Sequence, residues 1–315
     1  MKRWIPIGIV AAILAIVGVI AVQYVQQHQA ATPDHATKPK HVRVFHRPIY
    51  PQQRCAGVPK FLASLGIRRP IIDLSQQHAK GVLLWYGRGF TQRYHPKAWE
   101  RYGPMGTFTL DRAGNIYTAP NPFVSIEKET FAQQRRLYRI DGETGTLGIW
   151  KTFDDVHPSG QNPYGVVSVV YDCTDDTLWV AAIDESDFHA ERGVIYHVDT
   201  QDKHVIERIE GIDALTLALG QSENGRVLLV GSARNPSIEA IAISTNNPVR
   251  YLVTHFNEPS LRARKIKIRP NGDLYVEAIP FRYNLVVQSS DRQRTPLSVR
   301  FDNGRYVEIP ASPKP

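Results

Sequence analysis

Long runs of helix-forming residues are missing from this sequence, and methionine occurs only twice in 315 residues. Both features argue against a helical bundle. The common catalytic signatures are missing as well. There is no Walker loop, G-x-S-x-G elbow, HExxH helix, CxxC pair or Rossmann fingerprint, and Gly87-Arg88-Gly89 lacks the third glycine and the following helix. These absences lower the expectation of a common enzyme class. Cysteine is limited to Cys55 and Cys173. An oxidising compartment would let them join, tying the segment ahead of the main domain to its middle; two unrelated buried thiols are the alternative.

Turn formers are plentiful, with 22 glycines and 22 prolines, and 42% hydrophobic with 22% charged residues is ordinary for a globular chain. Strands are the default expectation, in one large all-β domain or two smaller ones. Thirty-eight basic against 30 acidic residues give a formal charge of +8. That excess favours anionic surfaces such as phospholipid head groups or polysaccharides.

Lys2 and Arg3 precede an apolar run from Trp4 to Val22. At about 1.5 Å rise per residue the run reaches roughly 28 Å, close to the hydrocarbon thickness of a bilayer. A cleaved signal peptide competes, but this run is longer than the usual h-region, and the cut site that Ala30 suggests has His28 two residues before it. The expectation is an uncleaved signal anchor over 4–25, after a cytoplasmic 1–3. The positive-inside rule then places the main domain in the periplasm or outside the cell. In that location nucleic acid is not an expected partner. Residues 26–60, rich in Gln, His, Pro and Lys, read as a stalk with one strand near His41 to Phe45. The main domain follows over 61–310, with a tail at 311–315.

Within it a pattern recurs: a strand, a turn of Asp, Asn and Gly, and a second strand ending in small residues. The second strands align as VLLWYG (82–87), NIYTA (115–119), TLWVA (177–181), VLLVG (227–231), DLYVEA (273–278) and RYVEI (305–309). The turns DRAGN, CTDD, SENGR, PNGD and DNGR suit tight hairpins. Further strand pairs, RRLYRID with TLGIWKTF, GVIYHVDT with HVIERIEG, and IEAIAIS with VRYLVTHF, complete three four-stranded units. Blades of a β-propeller take about 40–50 residues. Spacings of 32, 62, 50, 46 and 31 between Trp85, Tyr117, Trp179, Leu229, Tyr275 and Tyr306 favour six blades, with five as the alternative. On that reading NGDLYVEA and NGRYVEI belong to successive blades.

Ligand sites of propellers gather in the loops around one end of the channel. IDESDFHAERG brings Asp184, Glu185, Asp187, His189 and Glu191 together, and FDDVHPSGQNPYG brings Asp154, Asp155, His157 and Asn162. Oxygen ligands with an imidazole suit a divalent cation, and paired Asp suits acid–base chemistry; both groups equally suit solvated turns. In RYHPKAWERYG, Tyr94, His95, Trp99 and Tyr102 beside basic residues either stack on a ligand or pack into the core.

The hairpins LDRAGNIYTA and QNPYGVVSVVYDCTDDTLWVA resemble those of NHL-type and gluconolactonase-like (regucalcin-like) six-bladed propellers, over about Ile71 to Ile309. The resemblance implies a channel site where Glu, Asn and Asp from different blades hold a divalent cation, and Asn162 falls on that pattern. Tyr102-Gly103-Pro104 stands where the family has Glu-Gly-Pro, and Arg264 and Lys265 stand where Ser-Asp-Gly is expected. The leading expectation is therefore a membrane-anchored extracytoplasmic propeller that binds a small ligand or a protein. The alternative is a metal-dependent hydrolase or lyase using Asp154, Asp155, Asn162 and Asp184. A scaffold meeting anionic polymer or lipid is the third.

Overall fold

The computed structural model describes residues 43–121, 131–183, 185–187, 189–244, 248–283 and 294–309. The anchor expected over 4–25 lies outside them. Among the described residues no helix is long and apolar enough to cross a membrane.

The described residues form five antiparallel sheets. After a short strand β1 (Tyr50–Pro51) and a helix α1 (Lys60–Ser64), the first sheet holds β2 (Ile71–Asp73), β3 (Leu83–Tyr86) and β4 (Gln92–Tyr94). The second holds β5 (Met105–Leu110), β6 (Ile116–Pro120), β7 (Arg136–Ile140) and β8 (Leu147–Thr152), with a one-turn helix α2 (Phe131–Gln134) before β7. The third runs through β9 (Val166–Asp172), β10 (Thr177–Ala182), β11 (Val194–Asp199) and β12 (Val205–Glu210). The fourth contains β13 (Ala214–Ser222), β14 (Gly225–Ser232), β15 (Ser237–Ala242) and β16 (Val249–His255), and the fifth β17 (Leu261–Ile268), β18 (Leu274–Pro280), β19 (Thr295–Asp302) and β20 (Arg305–Ile309). The first strands β2, β5, β9, β13 and β17 all line one cavity. Sheets arranged around a shared channel in this way are the blades of a β-propeller.

Four apolar clusters fill the interfaces between successive blades. At the first interface Leu84, Trp99 and Met105 meet Tyr138. Tyr117 and Trp150 meet Val169 and Leu178 at the second. Trp179 and Ile195 meet Leu215 and Leu228 at the third, and Leu229 and Ile238 meet Ile266 and Val276 at the fourth. Strands such as TLWVAA, buried at every position, pack against a neighbour on both faces, so each blade needs the next.

Five blades replace the favoured six. The strand RYVEI is β20, the fourth strand of the fifth blade, because β18 pairs with β19 and β19 with β20. NGDLYVEA and NGRYVEI thus lie in one sheet: the first follows the hairpin between strands one and two, the second that between strands three and four. Any tight hairpin selects the same turn chemistry, here with Asn303 at φ 49° and Gly304 at φ 78°.

Among the described residues, and apart from β1 beside β13, each blade is built from one continuous stretch of chain. The fifth blade is made wholly of β17–β20 and the first wholly of β2–β4. From Arg43 onward, the segment that the sequence assigns to a stalk is instead a strap across the hairpin ends of the blades. Phe45 N donates to Leu252 O on the fourth blade, and the His46 ring meets Gly304 O on the fifth. Ile49 N donates to the buried Tyr306 hydroxyl, and β1 pairs with β13. Gln52 reaches Asp172 of the third blade, where Cys55 is disulfide-bonded to Cys173. Gly57 N then donates to Asp111 O on the second blade. A β-carbon at Gly57 would lie 2.2 Å from Arg112 O, so only glycine allows this approach. Phe61 of α1 finally packs into the interface of the first and second blades.

The crosslink spans a sequence separation of 118. Replacing Cys55 and Cys173 together by Ser is expected to lower unfolding free energy by about 2–5 kcal/mol, read by denaturant titration of oxidised wild type against the variant.

Candidate functional site

Among the described residues, the predicted acidic groups do not converge on one point. Asp154 is a surface partner of Arg135, its side chain 91% exposed. Asp155 accepts from the Tyr196 hydroxyl at 2.9 Å and pairs with Arg208 at 2.9 Å. His157 is exposed on the same loop. Asp184 lies outside the described residues. Glu185 pairs with Arg192 at 3.5 Å, at the surface. Asp187 accepts from the backbone N–H groups of His189 and Ala190, which hold its carboxyl below the usual carboxylate value; it caps a turn that leaves His189 exposed. The three His/Asp groups whose ligand atoms do cluster among the described residues are Asp199, Asp202 and His204. They form the β11–β12 hairpin, where Asp199 caps Gln201 N and Asp202 caps His204 N.

Asn162 is buried, and its amide group is used for structure. Nδ2 donates to Ser186 O at 2.8 Å and Oδ1 accepts from Tyr164 N at 3.1 Å, which pins the 153–165 loop to the 183–193 loop. Beside it, Asp213 at the start of β13 accepts from Ser186 Oγ, Gly193 N and the Tyr283 hydroxyl. Loops of the third, fourth and fifth blades therefore meet on one carboxyl group. Burial pushes Asp213 above the usual carboxylate value despite these donors, and burial with the nearby carboxyl pushes Tyr283 up too. In the 93–103 stretch, Trp99 is buried and donates to Gly145 O, while Tyr94 packs edge-on against it. These rings belong to the core.

What the blades enclose is a cavity of about 1000 Å³. The strap contributes Gln52, Arg54 and Cys55 to its wall, so it covers the hairpin end. Tyr164 and Phe281 line the cavity on the loop side, their rings 5.0 Å apart. Four first strands carry a β-bulge near their loop-side ends. The register skips Gly106 in β5, Val167 in β9, Leu215 in β13 and Arg264 in β17. All four line the cavity. A bulge frees one residue from the ladder and re-aims its side chain.

At the fifth blade that residue is cationic. Arg264 Nη2 donates to Gly106 O at 3.2 Å and Nη1 to Leu215 O at 3.5 Å, so the guanidinium joins the bulges of three blades. A β-carbon at Gly106 would lie 2.8 Å from Arg264 Nη2, so a larger side chain there would displace the end of the Arg264 side chain. Among the described residues Arg264 has no carboxylate partner, and burial lowers its pKa. Its signal in the sequence was charge: β17 reads LRARKIKI, four basic residues in eight, whereas MGTFTL and ALTLALGQS carry none.

No family model matches the sequence. No curated protein matches it either. Solved structures similar to the chain include a glucose dehydrogenase, 15% identical, covering 89% of this chain and 87% of its own with a TM-score of 0.42. A protein assigned as a gluconolactonase is 10% identical over 86% of this chain and 92% of its own, TM-score 0.44. A protein of unknown function from Bacteroides caccae is 11% identical over 74% and 70%, TM-score 0.43.

Two outcomes follow from the loop network. Asn162→Ala is expected to lower stability by about 1–3 kcal/mol by removing the side-chain bonds to Ser186 O and Tyr164 N that pin the two loops together, measured by denaturant unfolding. Asp213 has a native pKa above its unfolded value, so its contribution is fully present below the ordinary value of 3.8 and is lost as pH rises through the native value. The stability of wild type relative to Asp213→Asn should therefore fall as pH is raised from about 4, and a flat difference would contradict this assignment.

Proposed function

We propose that this chain is a ligand-binding propeller held at a membrane by its N-terminal segment, with the blades outside the cytoplasm, and that it binds a small molecule in its channel without transforming it. The observation that carries the reading is the cavity of about 1000 Å³, large enough for a metabolite-sized ligand and lined by both apolar and polar groups. The apolar run Trp4 to Val22 behind Lys2 and Arg3 supports the membrane attachment. The Cys55–Cys173 bond supports an oxidising compartment.

The test uses the full chain in detergent, incubated with the small-molecule fraction of an extract from the cells that make it, then measured by native mass spectrometry. The expected result is one compound retained at a single copy and recovered unchanged. Gly106→Leu, which fills the channel beside Arg264, should lose it while melting as a folded protein. Retention of nothing by the wild type, or equal retention by the variant, would overturn the channel as the site. Conversion of the retained compound, together with a stoichiometric divalent ion in metal analysis, would replace binding by hydrolase or lyase chemistry.

A further inference from the structure

We infer that the channel is built for an anion, and that the carboxylate or phosphate of a small organic molecule sits on the guanidinium of Arg264. The inference rests on the reading of the channel as a ligand site and names the chemistry of its ligand.

Arg264 is half-buried in the wall of the cavity, and a cation partly withdrawn from water without a counter-charge favours an anionic partner. Arg264 has five N–H donors, and carbonyls of Gly106 and Leu215 accept two of them. Those two bonds fix the plane of the group at the wall of the cavity. The remaining donors have no acceptor among the described residues. A fork held in this way matches a planar carboxylate or a phosphate in two parallel bonds.

The rest of the wall has the same sign. Lys265 and Arg294 share Glu277, at 3.4 and 3.1 Å. Asp73, the other carboxylate of the lining, accepts from the Trp85 indole and from Ser75 N. Lys267 and Arg54 line the cavity with no ion pair among the described residues. Such an excess in a concave site raises the local concentration of anions and disfavours a second cation, so it also opposes a divalent metal beside Arg264. Tyr164 and Phe281 offer flat apolar surface next to the guanidinium for the organic part of the ligand. Strap residues Gln52 to Ala56 line the hairpin end, and a cavity of about 1000 Å³ limits the occupant to a small molecule.

The test uses the full chain in detergent with two probes, inorganic phosphate and citrate, at ionic strength held constant with sodium chloride. Binding is followed by calorimetry, and the reactivity of Arg264 toward phenylglyoxal is followed by peptide mass spectrometry. The expected result is saturable binding of at least one probe with protection of Arg264; which probe protects tells carboxylate from phosphate. Arg264→Gln should weaken binding about tenfold or more, and Arg264→Lys, which keeps the charge and loses the fork, should weaken it less. Arg300→Gln, on the exposed surface of β19, should leave it unchanged. Failure of both probes to protect Arg264 beyond chloride overturns the inference, as does equal binding by Arg264→Gln. If Arg264→Gln does not fold, protection in the wild type decides alone. A neutral compound retained from the extract with no anion protection would sink the ligand class and spare the channel; no retained compound would sink both.

Discussion

A covalent bond between Cys55 and Cys173 fixes a strap to the middle of the ring, and that strap ties successive blades to one another across their hairpin ends. A ring of blades is stable when each sheet is packed on both sides, and the seam between first and last blade is its weak point because chain connectivity does not hold it. Among the described residues, the first and fifth blades share no strand across the seam. The strap runs beneath the ring from the fifth and fourth blades through the third to the second and first. It leaves the fifth blade at Gly304 and Tyr306, pairs with β13, is locked at Cys173, passes Asp111 and delivers Phe61 to the first and second blades. Its contacts are mainly backbone hydrogen bonds of ordinary strength, each worth on the order of 1 kcal/mol net. The disulfide makes their loss cooperative by shortening the loop that must be ordered.

The same strap shapes the channel. The strap lies at the hairpin end, and at the opposite, loop end Asp213 gathers the loops of three blades around one carboxyl group. The strap and the Asp213 loop network therefore lie at opposite ends of the inner strands. Strand pairing holds the two ends in register, and the bulges at Gly106, Val167, Leu215 and Arg264 mark where pairing is relaxed to turn residues toward the channel.

The sequence made the hairpins legible because turn chemistry and strand alternation are local. Three complete blades were readable from paired runs such as GVIYHVDT and HVIERIEG, which are β11 and β12. The count of blades was misread at the end of the chain, where an Asn-Gly hairpin of strands three and four imitates one of strands one and two. The strap was illegible for the opposite reason: its partners lie up to 258 residues away, and it bonds through backbone and through a glycine chosen for close approach. Acidic residues picked for their density are held mostly in turns and ion pairs, as Asp187 and Asp155 show. Density in sequence says nothing of whether carboxylates point at one another.

Arg264 stood out first as a departure, a basic residue where the resembling family has Ser-Asp-Gly, and the structure gives that departure a physical meaning. A metal site in a channel needs carboxylate or amide oxygens converging on one point, and a guanidinium at the wall works against it through like-charge repulsion in a medium where screening is weak. The carbonyls of Gly106 and Leu215, which could have faced a cation, accept from Arg264 instead. The bulge makes the exchange feasible: without it, alternation along β17 would place residue 264 in the ladder and turn its side chain toward a neighbouring blade. A channel whose oxygens are already occupied by a fixed cation has its free hydrogen-bonding capacity in donors, and donors in a basic cavity select anions.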